Sequence, residues 1–184
     1  VAFLLKRAKG KDEIVYLEEP SPLIVFFATE KDTYLDFLVQ GPYRTTPARD
    51  NVPQNDDWNR KLVAHTADLV VNAMEQVRDM GLLSPSFLEA LPITPEDFPD
   101  DSMFRPVFDR VRDVLKTKPF LPAHGGGFTS AKCAKLPRGS ELLKLLSESQ
   151  LRMLFRTSAH LRWVSSEISE TKTPALYDYL KEEL

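Results

Sequence analysis

The run from Trp58 to Met80 constrains the fold more than any other part of the sequence. Trp58, Leu62, Leu69, Val70, Ala73, Val77 and Met80 recur at three- and four-residue steps, the spacing of one face of an α-helix. Asn55 or Asp56 can cap its start, and Gly81 supplies its stop. A long helix therefore occupies the middle of the chain, with Trp58, Leu62, Leu69, Ala73 and Val77 as its expected core stripe.

The residues before this helix read differently. Val1–Lys6, Ile14–Leu17, Leu23–Ala28 and Leu35–Gln40 are short and rich in Val, Ile, Phe, Tyr and Leu, which predicts strands of a small mixed or antiparallel sheet. Lys9-Gly10-Lys11-Asp12 is a plausible turn between the first two. Leu23-Ile24-Val25-Phe26-Phe27 is apolar on both faces and is expected to be a central strand, whereas Leu35–Gln40 alternates in part and reads as half exposed.

After Gly81, prolines 85, 92, 95 and 99 cut the chain into short helical turns, as in Ser84-Pro85, where Ser caps and Pro takes the first helical position. Phe104–Lys116 resumes a helical period with Phe104, Val107, Phe108, Val111, Val114 and Leu115 on the buried face. His124-Gly125-Gly126-Gly127 reads as a turn between two strands. Helices are predicted at Ser140–Ser147 and Pro174–Leu184, and Leu151–Phe155 reads as strand or helix. The fold class is α+β: a small sheet, a long helix, then a mixed helical C-terminal part. The expected division is a sheet-plus-helix segment, 1–81, and a mainly helical segment with a glycine-turn hairpin, 82–184.

Composition narrows the function classes. The chain has 184 residues, 42% hydrophobic and 28% charged, as in ordinary globular proteins. A net charge of -3 gives no global basic field for phosphates, so no nucleic-acid partner is expected. The longest apolar run, Leu23–Ala28, is far too short to span a bilayer, so no membrane partner is expected either. One cysteine and three histidines cannot build the usual zinc spacings, and no metal site is expected; a reducing, cytoplasmic location fits. The strand-like opening Val1-Ala2-Phe3-Leu4-Leu5, without an initiator Met, is expected of a piece of a longer protein. No glycine-rich phosphate loop of either common pattern is present.

Few constellations suggest chemistry. His124–Gly127 matches the oxyanion-hole string of some esterases, but no G-x-S-x-G nucleophile elbow accompanies it, and the turn reading is preferred. Cys133 between Lys132 and Lys135 has no identifiable base, and His65 and His160 stand alone. Glu96, Asp97, Asp100 and Asp101 read as a solvated turn. The connection from Gly41 to Pro53 is different in kind. It places Arg44, Arg49, Thr45, Thr46, Asp50 and Asn51 ahead of a helix N-terminus, a combination that can meet an anion, although Arg49 and Asp50 bracing the loop is the plainer alternative.

These same residues carry a resemblance. Phe26-Phe27-Ala28-Thr29-Glu30, then Gln40-Gly41-Pro42-Tyr43, then Thr46-Pro47-Ala48-Arg49-Asp50-Asn51 resemble the region after the ATP-binding domain in sacsin-like ATPases. These are relatives of heat-shock protein 90, DNA gyrase B, histidine kinases and MutL in the GHKL superfamily. Leu121-Pro122, Gly126-Gly127-Phe128 and Thr171–Leu180 are similar to later parts of the same architecture. The resemblance implies a middle or transducer segment coupling nucleotide state to conformational change. Its partner would be an upstream ATP-binding domain of the same polypeptide, with a client or partner protein also possible. Arg49 is similar to the basic residue that contacts the terminal phosphate, with Gln54 and Arg44 as secondary contacts. No catalytic residue is assigned to this chain, and ATP and Mg belong to the parent protein. The alternative is a non-catalytic interaction module without a nucleotide role, whose surface would be Phe87, Leu88, Leu91 and Phe98.

Overall fold

The long helix, α1, runs Asp57–Asp79 in the computed structural model, which describes residues 1–8, 10–137, 139–157 and 159–183. Asp56 is the cap, its side chain accepting from the backbone N–H groups of Trp58 and Asn59. Gly81, at φ 73°, closes the other end: its N–H donates to Arg78 and that of Leu82 to Val77, a left-handed stop that glycine adopts without a Cβ clash.

The face that α1 buries matches the expected one only in part: Val77 is buried and Leu62 and Ala73 are half-buried. Val63, Ala67, Val70, Met74 and Val77 are buried together with Asn59 and Thr66, whereas Trp58 and Leu69 are 43% and 49% exposed. The expected stripe was drawn through apolar residues alone. The true face includes two polar side chains whose hydrogen bonds are made inside the protein, and counting them turns the stripe around the axis.

The described residues divide into two compact units, Val1–Arg112 and Asp113–Leu184; the expected division after residue 81 falls inside the first. In the first unit, β1 (Leu4–Ala8) and β2 (Lys11–Val15) form an antiparallel hairpin; Lys9, part of the expected turn, lies outside the described residues. β3 (Pro22–Val25) and β4 (Phe27–Asp32) form a second one. The structure is thus α+β with small two-stranded sheets. Leu35–Gln40 is not a strand. It runs beside both hairpins through single bridges, Leu38 to Ala2 and Gln40 to Ile24, with Leu35, Phe37 and Val39 buried.

The short helix α2 (Pro85–Glu89) begins as predicted, with the Ser84 side chain accepting from the Phe87 N–H. It packs on β2, where the Ser86 hydroxyl donates to Glu13 at 2.7 Å. Phe3 brings the N-terminus into this core, its ring 4.9 Å from Phe37 and 5.2 Å from Phe87. Phe87, Leu88, Leu91 and Phe98 are all buried, so they form core rather than a docking surface. A 3₁₀ turn at Pro95–Asp97 precedes α3 (Arg105–Thr117), whose six expected core residues are all buried.

In the second unit, β5 (Leu121–Pro122) and β6 (Phe128–Thr129) pair around the glycine turn. Gly125, Gly126 and Gly127 all have positive φ, a run that residues with a Cβ resist. After a 3₁₀ turn, β7 (Ala134–Lys135) pairs in parallel with β8 (Arg162–Trp163). Between them lie α4 (Ser140–Leu145) and α5 (Glu148–Leu154), so the ambiguous segment is helical. α6 (Pro174–Glu183) closes the unit with Leu176, Tyr179 and Leu180 buried; Leu184, the predicted end of this helix, lies outside the described residues.

Candidate functional site

Gly41-Pro42-Tyr43 sets the geometry of the polar connection. The Tyr43 ring folds back over Gly41 so closely that a Cβ there would sit 2.8 Å from the ring, so any side chain would force the ring to shift. Tyr43 is buried, and its hydroxyl meets the Thr66 hydroxyl of α1 at 2.9 Å. Burial pushes the Tyr43 phenol above its usual range, the Thr66 contact partly opposing that.

Beyond Tyr43 the chain splits into two arms. The first is tied to α1. Asn59, fully buried, accepts from the Arg44 N–H at 2.7 Å and donates to the carbonyls of Arg44 and Pro53, both at 2.9 Å. The Arg44 guanidinium donates to Asp56 at 3.4 Å and lies over the Trp58 ring at 5.9 Å, and the Trp58 indole donates to the Pro42 carbonyl at 2.9 Å. Asp56 is held below the ordinary carboxylate range, first by the Asn59 N–H and then by Arg44 and the Trp58 N–H. The anion position at this helix end is therefore filled by the protein's own carboxylate.

The second arm, Thr46–Asn51, is a braced turn. The Thr46 N–H donates to Asn51 and the Arg49 N–H to Thr46, both at 2.9 Å, and the Thr46 hydroxyl donates to the Asp50 carboxylate at 2.5 Å. That bond is the main cause holding the Asp50 carboxyl below its usual range. The Glu30 N–H donates to the Asp50 carbonyl at 2.7 Å and fixes the turn beside β4. Arg49 stands out of this frame at φ 62°, a left-handed backbone that disfavours a long side chain. Its guanidinium has no hydrogen bond or ion pair among the described residues.

Arg49 lines a cleft of about 630 Å³ with Val25, Phe26, Phe27, Tyr43 and Thr45. The opposite wall is the tip of the β3–β4 hairpin. Val25 pairs with Phe27, leaving Phe26 alone in the bend at φ 62°. Phe26 and Phe27 are 85% and 81% exposed, and the expected central strand thus ends in a turn. Its inward side is carried by Leu23 and Thr29, which are buried and joined by a 2.8 Å bond from the Thr29 hydroxyl to the Leu23 carbonyl. A run of five apolar residues hid a bend that only pairing with β4 defines.

The three expected phosphate contacts do not converge. Arg49 lies in the cleft, Arg44 is bound to Asp56, and Gln54 faces elsewhere. Its amide accepts from Lys31 at 3.3 Å and donates to the Asp101 carbonyl at 3.2 Å, in a groove lined by Glu96, Asp97 and Met103. Glu96, Asp97, Asp100 and Asp101 are exposed, as the solvated-turn reading expects, although partial burial raises the Asp97 carboxyl and the nearby Glu96 adds to this. Asp36, invisible to motif reasoning, is raised by burial and then by Asp97. Sequence reading also missed Phe26 and Phe27 as site residues; two adjacent phenylalanines before Ala28-Thr29-Glu30 were the only available signal.

The other candidates are not among the residues that line this cleft. Cys133 is half-buried in its 3₁₀ turn. In the glycine turn the Arg162 guanidinium donates to the Gly126 carbonyl at 2.9 Å and to Glu148 at 2.7 Å, so Arg162 braces this turn. Among the described residues no group of His, Cys, Asp or Glu is arranged to hold a metal ion, and no helix is long and apolar enough to cross a membrane.

No family model matches the chain, and no curated protein or solved structure is significantly similar to it.

Proposed function

We propose that this chain is the middle or transducer segment of a sacsin-like or heat-shock protein 90-like ATPase. Arg49 is the cation it offers to the terminal phosphate of a nucleotide held by an upstream ATP-binding domain, in a cytoplasmic protein. One observation carries the reading: Arg49 is held on a braced, left-handed turn with no internal partner, while Arg44, five residues earlier, is bound to Asp56. A free guanidinium on a rigid support can meet an anion with little further ordering.

ATP with its Mg would supply the transferable phosphoryl group and its charge. This chain supplies position. Thr46, Asp50 and Glu30 fix the turn, and the apolar wall of Phe26, Phe27 and Tyr43 keeps water from one side of the guanidinium once a neighbour covers it, strengthening any ion contact there. A positioned cation of this kind contributes on the order of 100-fold in turnover. Arg49→Ala in the ATPase-containing protein is expected to lose that factor, with Arg44→Ala near wild type. Unchanged turnover and unchanged nucleotide-dependent closure in Arg49→Ala would remove Arg49 from the mechanism.

A second reading, an interaction module without a nucleotide role, is favoured by the exposure of Phe26 and Phe27, since adjacent exposed aromatics are common at binding surfaces. Its test is capture of a partner by the isolated chain and loss of capture in Phe27→Asp, with Arg49→Ala without effect on any ATPase.

A further inference from the structure

The second unit concentrates positive charge that the chain as a whole lacks. Residues 131–162 hold seven Lys and Arg against two Asp and Glu, a local charge of +5 that leaves -8 for the rest of a chain whose net is -3. Both acids are spent within the segment, Glu141 on Lys144 at 3.1 Å and Glu148 on Arg162 at 2.7 Å. Lys132, Lys135, Arg152 and Arg156 have no ion pair among the described residues.

The same segment exposes apolar side chains. α4 and α5 pack inward through Leu142, Leu143, Leu146 and Leu151 against Leu161 and Trp163. Outward they leave Leu145, Met153, Leu154 and Phe155 at 67%, 73%, 63% and 50% exposure. The cations lie among these groups: Lys135 stands 5.0 Å from the Phe155 ring centroid, and Arg152 and Arg156 flank Met153–Phe155 in the chain. α5 ends in a left-handed stop, with the Arg156 N–H donating to Met153 and the Thr157 N–H to Arg152. The residue at the left-handed position is Arg156, at φ 48°, where glycine would fit without strain.

We infer that the exposed side chains of α4 and α5, Leu145, Met153, Leu154 and Phe155, with Lys135 against Phe155 and Arg152 and Arg156 beside them in the chain, dock an acidic polypeptide segment that carries apolar side chains of its own. Charge complementarity selects the acidic character, and the four exposed apolar groups require matching ones. Met153 adapts to irregular surfaces. A lipid surface is a poorer fit, because helices of six and seven residues offer no continuous apolar face to lie in an interface. Nucleic acid is poorer too, since Leu145, Met153 and Leu154 offer bases no stacking plane and Lys135 already lies over the one aromatic ring, Phe155.

The test pans short random peptides displayed on phage against the 184-residue chain. Enriched peptides are expected to be acidic with Leu, Phe or Trp. The best of them, made synthetically, should bind Arg152→Glu/Arg156→Glu and Met153→Ser/Leu154→Ser at least about tenfold more weakly, and lose affinity with added salt. All four positions are surface-exposed or half-buried, and unchanged circular dichroism would confirm folding. Failure to enrich acidic peptides, or equal binding by the variants, overturns the inference. So does binding through these same residues to phosphatidylserine vesicles or an oligonucleotide in place of peptide.

Discussion

Arg44 and Arg49 sit five residues apart in one loop and do opposite things. Arg44 is drawn into the start of α1, where Asp56, Asn59 and Trp58 occupy its side chain and backbone. Arg49 is carried away from the helix by a turn whose own bonds are complete without its side chain. The first arm uses polar groups to hold the fold; the second uses a fold already held to present one. Residue type did not separate these arginines; the partner within reach did.

The largest expected effect tests whether the aromatic residues divide in the same way. Phe87, fully buried against Phe3, should cost about 3–5 kcal/mol when cut to Ala. Phe27→Ala, at an exposed tip, should stay within about 0.5 kcal/mol; chemical denaturation of both variants checks this. Next, Asn59→Ala leaves the Arg44 N–H and the carbonyls of Arg44 and Pro53 without their partner. At about 1–3 kcal/mol for an orphaned group, a loss of roughly 3 kcal/mol is expected in the same experiment. A loss under about 1 kcal/mol would mean that water can enter this arm and that the contrast is overdrawn.

Arg49→Gly should move the other way. Relief of the left-handed backbone at φ 62° is worth about 1 kcal/mol, so the melting temperature should rise. A destabilised Arg49→Gly would show that the side chain braces the loop. The acid limb of stability sharpens the comparison further. Asp56 and Asp50 are held below the ordinary carboxylate range, so their contribution is complete above the unfolded value and is lost as pH falls through the folded one. Asp36 and Asp97 are raised and act in reverse, gaining stability as pH falls through their folded values. Stability should therefore rise slightly just above the usual carboxylate range and fall below it. Asp97→Asn should reduce the rise, leaving the part that burial gives Asp36, and Asp56→Asn, which can still cap, should flatten the fall; a titration of stability against pH reads both. The smallest effect is Arg44→Ala, a slight loss of stability from one exposed ion pair.

Much of the fold was legible because its signals are local. A cap at Asn55 or Asp56, Gly81 as stop, Ser84-Pro85 as a helix start and His124–Gly127 as a turn each depend on a few neighbouring backbone groups. The buried face of α3 was legible because it is uniformly apolar. The face of α1 was legible only in part, because Asn59 and Thr66 are core residues through hydrogen bonds to residues far away in the chain. The reading of Leu23–Phe27 as a central strand failed for a related reason, since hydrophobicity does not say where a strand bends back. Of the candidate site, the loop and the residue type of Arg49 were readable. Its freedom, its backbone strain and the aromatic wall opposite it were not.

By itself the sequence determined an α+β chain with one long, capped helix, a glycine turn and a polar loop carrying two arginines, because capping, periodicity and turn chemistry act within a few residues. Only the tertiary structure decided which arginine is free, which phenylalanines face water and which face of α1 is core. Each of those outcomes depends on a partner brought from elsewhere in the chain: Asn59 and Asp56 to Arg44, β4 to Phe26 and Phe27, and Tyr43 to Thr66.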